Sequence, residues 1–210
     1  MAKNIYSLVL NDEIIDMIDN VAYKNGVSRS TLINGILAEY VGYETAEKRI
    51  KSIFSAIDAI IMGERRMRLL EQNRDSSLSI ISALNYKYSP RITYSVEFAP
   101  EGDTLGNLVI SYRTSKAELI SSIENFFATW IALEHGYLEN KPKYFVGDGK
   151  LKRSLRFFKK DVSAEDVANL IADYVRAVDK LLNAYIAEDE SLRDDLLKER
   201  FLALDAVKRI

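Results

Sequence analysis

Hydrophobic and polar residues change period several times along the chain, and each change marks an element. Residues 5–10 alternate, with Tyr6, Leu8 and Leu10 on one side and Ile5, Ser7 and Val9 on the other. A period of two predicts a strand. From Asn11 onward the apolar positions Ile14, Ile15, Ile18, Val21 and Ala22 recur at helical spacing. Asn11 is a good N-cap, and Asp12 and Glu13 fall in the first turn, where the helix dipole favours acids. Gly26 supplies a left-handed stop and Ser28 a fresh N-cap. The helix it opens carries two rows four residues apart, Leu32/Ile36/Tyr40 and Ile33/Leu37/Val41.

Beyond this opening, the helical period from Thr45 to about Leu70 (Ala46, Ile50, Ile53, Ile57, Ile60, then Met67) predicts one long helix packed on a partner, with Gly63 as a kink. Residues 76–83 fit either a helix or a further strand. Between Leu84 and Tyr112 the period falls to two, with Leu84, Tyr86, Tyr88, Ile92, Tyr94, Val96 and Phe98 on one parity. Leu108, Ile110 and Tyr112 resume the alternation after a turn-rich stretch, which predicts an antiparallel hairpin with Pro90 at an edge or bend. Ser115 and Glu118 have capping-box spacing before a helix that is apolar nearly all round and ends near His135 and Gly136. Asp148-Gly149 predicts a second hairpin. Ser163 opens a long amphipathic helix, and another begins near Ser191. The fold class that results is α+β: a small N-terminal module over 1–43, then a mostly helical domain with a small antiparallel sheet over 44–210.

A strand and two helices within some forty residues cannot bury their apolar faces alone, because chains that short rarely build a core. Two copies pairing their strands would solve the problem. On the strand SLVL, the acidic start NDE, the apolar rows of the first helix, and Gly26-Val27-Ser28-Arg29-Ser30 leading into Leu32-Ile33, the stretch resembles the ribbon–helix–helix DNA-binding family. The resemblance implies a homodimer, or a higher oligomer built from it, that lays a two-stranded ribbon in the major groove of double-stranded DNA. It places Ile5, Ser7 and Val9, with Lys3 just before them, against the bases. It places the backbone N–H groups of Ser28, Arg29 and Ser30, with the Arg29 charge, at a phosphate. Two of the three base-facing positions are nevertheless apolar, and apolar side chains reach a thymine methyl but cannot make bidentate hydrogen bonds to a purine. Residues 1–43 also carry a net charge of −2, with Lys3, Lys24 and Arg29 against Asp12, Glu13, Asp16, Asp19 and Glu39. Both facts suit a rival reading in which the N-terminus only dimerises, as in a protein–protein module such as an antitoxin or a mobile-element accessory protein.

Composition narrows the remainder. The 210 residues are 48% hydrophobic, enough for a sizeable core, and the formal net charge of −2 confines any nucleic-acid surface to a local patch. The chain has no cysteine, which removes thiolate metal sites and disulfides. Neither a secretory signal nor a long apolar run stands out, so the expectation is a cytoplasmic protein without a membrane partner. The sharpest local charge lies at 141–160, where Lys141, Lys143, Lys150, Lys152, Arg153, Arg156, Lys159 and Lys160 face only Asp148, a net of +7. Lys143, Lys150, Lys152, Arg153 and Arg156 are candidates for an anion or phosphate patch that would serve a second DNA contact or an effector. The bland reading is a solvated hairpin whose aromatics face its own core. Tyr86, Tyr88, Tyr94 and Tyr112 could line a pocket, but they also suit a half-buried strand face. His135 is the single histidine and sits where a helix C-cap is ordinary, so no metal or cofactor is expected. The acidic run at 188–190, with Asp194 and Asp195, lacks calcium-loop spacing. No nucleophile–base–acid set is visible, and no catalytic residue is assigned. The expected function is a homodimeric transcriptional regulator whose C-terminal domain senses an effector, binds a partner or oligomerises.

Overall fold

The computed structural model describes residues 5–70, 76–101, 104–156 and 162–204, and the chain divides into two compact units, Met1–Arg49 and Ile50–Ile210. The first unit holds two helices, α1 (Asp12–Lys24) and α2 (Arg29–Tyr40). Asn11 caps α1 by accepting the Glu13 N–H at 3.2 Å, and Ser28 caps α2 by accepting the Thr31 N–H at 3.2 Å. Between them Gly26 takes φ +65°, a left-handed conformation that most side chains resist. Only Ala22 is buried in the two helices. The strand expected over 5–10 does not form: residues 5–11 have no regular structure. A strand is defined by its ladder of hydrogen bonds, and a single copy of this segment has none.

Helix α3 (Ala46–Ile61) begins in the last residues of the first unit and runs into the second, where it buries Ile53, Ile57 and Ile61. The expected helix to Leu70 stops nine residues short of that end, at the Met62-Gly63 turn, and Met67 belongs to strand β1 (Met67–Leu70). Residues 76–83 resolve as a strand, β2 (Ser77–Ala83), followed by β3 (Arg91–Glu101) and β4 (Thr104–Tyr112). Helix α4 (Ala117–Tyr137) precedes the hairpin β5 (Tyr144–Gly147) and β6 (Lys150–Arg156), and α5 (Ala164–Ala187) and α6 (Arg193–Leu202) close the chain. The Asp148-Gly149 turn takes positive φ at both residues, +51° and +67°, as a tight hairpin requires. Ser163 caps α5, whereas the capping box expected at α4 is absent. Lys116 is the N-cap there without a side-chain bond, and its N–H is taken by the Thr114 hydroxyl at 3.2 Å.

All six strands join one antiparallel sheet in the order β1-β2-β3-β4-β6-β5. Alternation divides most of its side chains between two faces. Ile80, Ile92, Tyr94, Val96, Phe98, Leu108, Ile110, Leu151 and Leu155 are buried in one core with α3, α4, α5 and α6. Their neighbours Thr93, Ser95, Val109, Ser111 and Lys152 stay partly exposed on the outward face. Trp130 of α4 anchors the helical layer. Its ring lies 5.5 Å from Phe126 and 5.2 Å from Phe201 of α6, and its Nε1–H donates to the Tyr174 hydroxyl of α5 at 3.0 Å. Tyr88, expected on the buried strand face, lies instead in the connection between β2 and β3 with φ +69° and 81% exposure.

Candidate functional site

In the first unit the expected contact residues fall into two groups. Ile5, Ser7 and Val9 lie along the segment ahead of α1 with their side chains exposed, Ile5 and Val9 completely so. Their apolar neighbours Tyr6 and Leu8 are 81% and 63% exposed. Ser28, Arg29 and Ser30 form the exposed N-terminus of α2, and Ser28 spends its side-chain oxygen on the cap and on a 2.8 Å contact with the Thr31 hydroxyl. Arg29 reaches back to α1 and grips Asp19 with both arms of its guanidinium, Nε donating to Oδ1 at 2.6 Å and Nη2 to Oδ2. That hydrogen bond holds the Asp19 carboxyl below its ordinary value and raises the guanidinium's own. The Arg29 charge is therefore partly spent on a fixed carboxylate. Lys3 lies outside the described residues.

In the second unit the expected anion patch splits across the sheet. Lys150, Lys152 and Arg156 point outward from β6, and Lys143 precedes β5, joined to Ser154 by a backbone N–H to hydroxyl bond at 2.8 Å. Arg153 does not belong with them. It occupies the opposite parity, opposite Leu108, and is 1% exposed. Its Nε donates to Glu134 of α4 at 2.9 Å, and its guanidinium lies 4.5 Å from the Tyr174 ring centre. Glu134 is itself fully buried, and burial raises its carboxyl despite the arginine beside it. The pair is a structural element of the core. Of the interleaved aromatics, Phe145 is 62% exposed, while Phe157 and Phe158, like Lys159 and Lys160, lie outside the described residues.

A second buried polar set ties α5 to the sheet. The Tyr94 hydroxyl donates to Asp179 at 3.0 Å, and the Asn85 N–H donates to Asn183 at 2.7 Å. Burial raises both the Tyr94 hydroxyl and the Asp179 carboxyl. Tyr94 is thus a core strut, and the four tyrosines do not meet around a pocket: Tyr112 bonds Glu124 and Tyr86 bonds Glu118 near the surface. His135 contacts the Pro142 carbonyl at 3.2 Å. Asp189 accepts from the Ser191 N–H and hydroxyl in the turn before α6, and Asp194 accepts from Tyr185 and Thr129. Among the described residues no cluster of three or more histidine or acidic side chains could hold a metal, and no helix is long and apolar enough to cross a membrane.

Sequence reading overlooked one group. The run Arg65-Arg66-Met67-Arg68 leads into and along β1, and register puts Arg68 beside Ile81 and Arg91 beside Ala83 on the outward face. Three arginines within four residues were the available signal, but a helical reading of 45–70 scatters them around a cylinder. No protein-family model, curated protein or solved structure matches the chain.

Proposed function

We propose that the protein is a homodimeric DNA-binding regulator of ribbon–helix–helix type, with a larger α+β unit that answers to an effector or partner. One observation carries this reading. The alternating segment 5–10 lies uncovered ahead of two capped helices, with Ile5, Tyr6, Leu8 and Val9 in solvent. Exposed apolar area of this kind costs about 25 cal/mol per Å². Pairing with the same segment of a second copy would satisfy its backbone and cover Tyr6, Leu8 and Leu10 on the two helices. Ile5, Ser7 and Val9 would then face the groove, and the N–H groups at the start of α2 would meet a phosphate.

Fluorescence anisotropy with a pool of genomic fragments tests the reading. The expected result is a complex at low salt that weakens steeply as salt rises, because cation contacts release counterions from DNA. Ser7→Glu and Arg29→Ala should each weaken it. Absence of a complex at low salt, or one indifferent to both substitutions, overturns DNA binding. A dimerisation-only role is favoured by one specific fact: Arg29, the cation at the would-be phosphate site, is already held by Asp19. Stoichiometric recovery of a protein and no nucleic acid on affinity isolation is the outcome that role requires.

A further inference from the structure

The corner of the sheet where β1, β2 and β3 begin and end holds a cleft of about 440 Å³. Four arginines line it, Arg65, Arg66, Arg68 and Arg91, and no carboxylate does among the described residues. That concentration is unusual in a chain of net charge −2. The acid nearest in sequence, Glu64, is taken by Arg176 of α5 at 2.7 Å. Arg66 is fixed by donating from Nη2 to the Ala83 carbonyl at 3.1 Å and to the Asn85 side chain at 3.2 Å. Arg65, Arg68 and Arg91 are exposed and have no ion pair among the described residues. Like charges gathered at one concavity repel, and a bound anion would offset that repulsion beyond what water and salt do. Met67 and Leu84, both buried, give the cleft an apolar floor.

We propose that this cleft binds a small molecule bearing at least two linked phosphate groups. Guanidinium groups present paired N–H donors in a plane that matches phosphate oxygens, so several converging arginines select a multiply charged phosphate over a single carboxylate. The cleft volume lies within the span of small-molecule sites, roughly 300–1,000 Å³. The cleft is an open concavity at one corner of the sheet, of a size that suits a compact ligand. The inference concerns the sheet unit alone and holds whether or not the N-terminal segment meets DNA.

Calorimetric titration of the full chain with sodium pyrophosphate, and separately with inorganic phosphate, tests it. Pyrophosphate should bind at one site per chain and more tightly than phosphate. The double variant R68A/R91A should weaken it about tenfold or more, since it removes two charged donors to the phosphate oxygens. K150A/K152A and Ser7→Glu should leave it unchanged. With no ligand present, the thermal midpoint of R68A/R91A should equal or exceed that of the wild type, because the substitutions remove repulsion. The single variants Arg68→Gln and Arg91→Gln give the same readout if the double variant does not fold. The proposal is overturned by no saturable binding at millimolar pyrophosphate, or by equal loss in R68A/R91A and K150A/K152A. Displacement of pyrophosphate by a short DNA duplex would equally overturn it, since the cleft would then belong to a nucleic-acid track.

Discussion

Arg153 looks from the sequence like one more cation in a basic run, yet it is the most deeply committed of them. Parity on β6 decides the matter: Leu151, Arg153 and Leu155 turn inward while Lys150, Lys152 and Arg156 turn out. The alternation was legible, but counting charge over twenty residues averaged it away. Arg153 and Glu134 are buried together, and the second carboxylate oxygen, Oε1, has no hydrogen-bond partner among the described residues. Removing either partner strands a charge in the core, so Glu134→Ala or Arg153→Ala should each cost about 3–5 kcal/mol in chemical denaturation. The double variant Glu134→Ala/Arg153→Ala should lose much less than the two single losses combined, and additivity would show that the groups are not coupled. Asp179 gives a pH-dependent counterpart. Burial raises its carboxyl above the ordinary value, so the folded state holds the proton more tightly than the unfolded chain. The stability contributed by that proton is complete below the unfolded carboxylate range and is lost as pH rises through the raised folded value. Asp179→Asn does not titrate there, so its thermal midpoint should gain on the wild type between acid and neutral pH. A constant gap between the two midpoints would contradict this.

Elements were read from the sequence with uneven success, and the failures share a cause. Helices α1, α2 and α5 announce themselves through Asn11, Ser28 and Ser163, because a cap and its helix are local chemistry. The β5–β6 hairpin follows equally directly from Asp148-Gly149. Strand β1 was missed because Ile50, Ile53, Ile57 and Ile60 continue into Met67 at helical spacing, and only its pairing with β2 makes 67–70 a strand. The ambiguity of 76–83 has the same origin. Candidate sites suffered accordingly: the four arginines of the sheet corner converge from a turn and two strands, and no local pattern joins them. Gly106 shows how tightly the assembled sheet fits. It sits at a register shift where β4 pairs with both β3 and β6, and a Cβ there would stand 2.0 Å from the Glu97 carbonyl oxygen. Gly106→Ala should therefore cost about 3 kcal/mol or more by urea unfolding, with backbone rather than a flexible side chain obliged to move. A loss below 1 kcal/mol, about the helix or strand preference alone, would mean the bulge rearranges freely.

At the scale of the whole molecule, the two units differ in how far one chain can stabilise them. The second has a continuous core from α3 through α6, anchored by Trp130, Phe126 and Tyr174, whereas the first buries only Ala22 among its described residues. Association through residues 5–10 would make the first unit's stability depend on protein concentration. Leu8→Asp, on the face assigned to the helices, should then shift the protein toward monomer in sedimentation equilibrium, while Ser7→Glu leaves the mass unchanged. A wild-type monomer at micromolar concentration, or a dimer untouched by Leu8→Asp, would remove the basis for a paired ribbon. The strand order has a different consequence, for the growing chain. Every strand pair but one joins near neighbours in sequence, yet β4 waits for β6 across residues 113–149, with α4 between them. A nascent chain leaving the ribosome therefore shows the unpaired edge of β4 until the basic hairpin has been synthesised. Arrest within that interval leaves an open ladder that neighbouring nascent chains can join, which makes 113–149 the interval in which a holding chaperone would matter most.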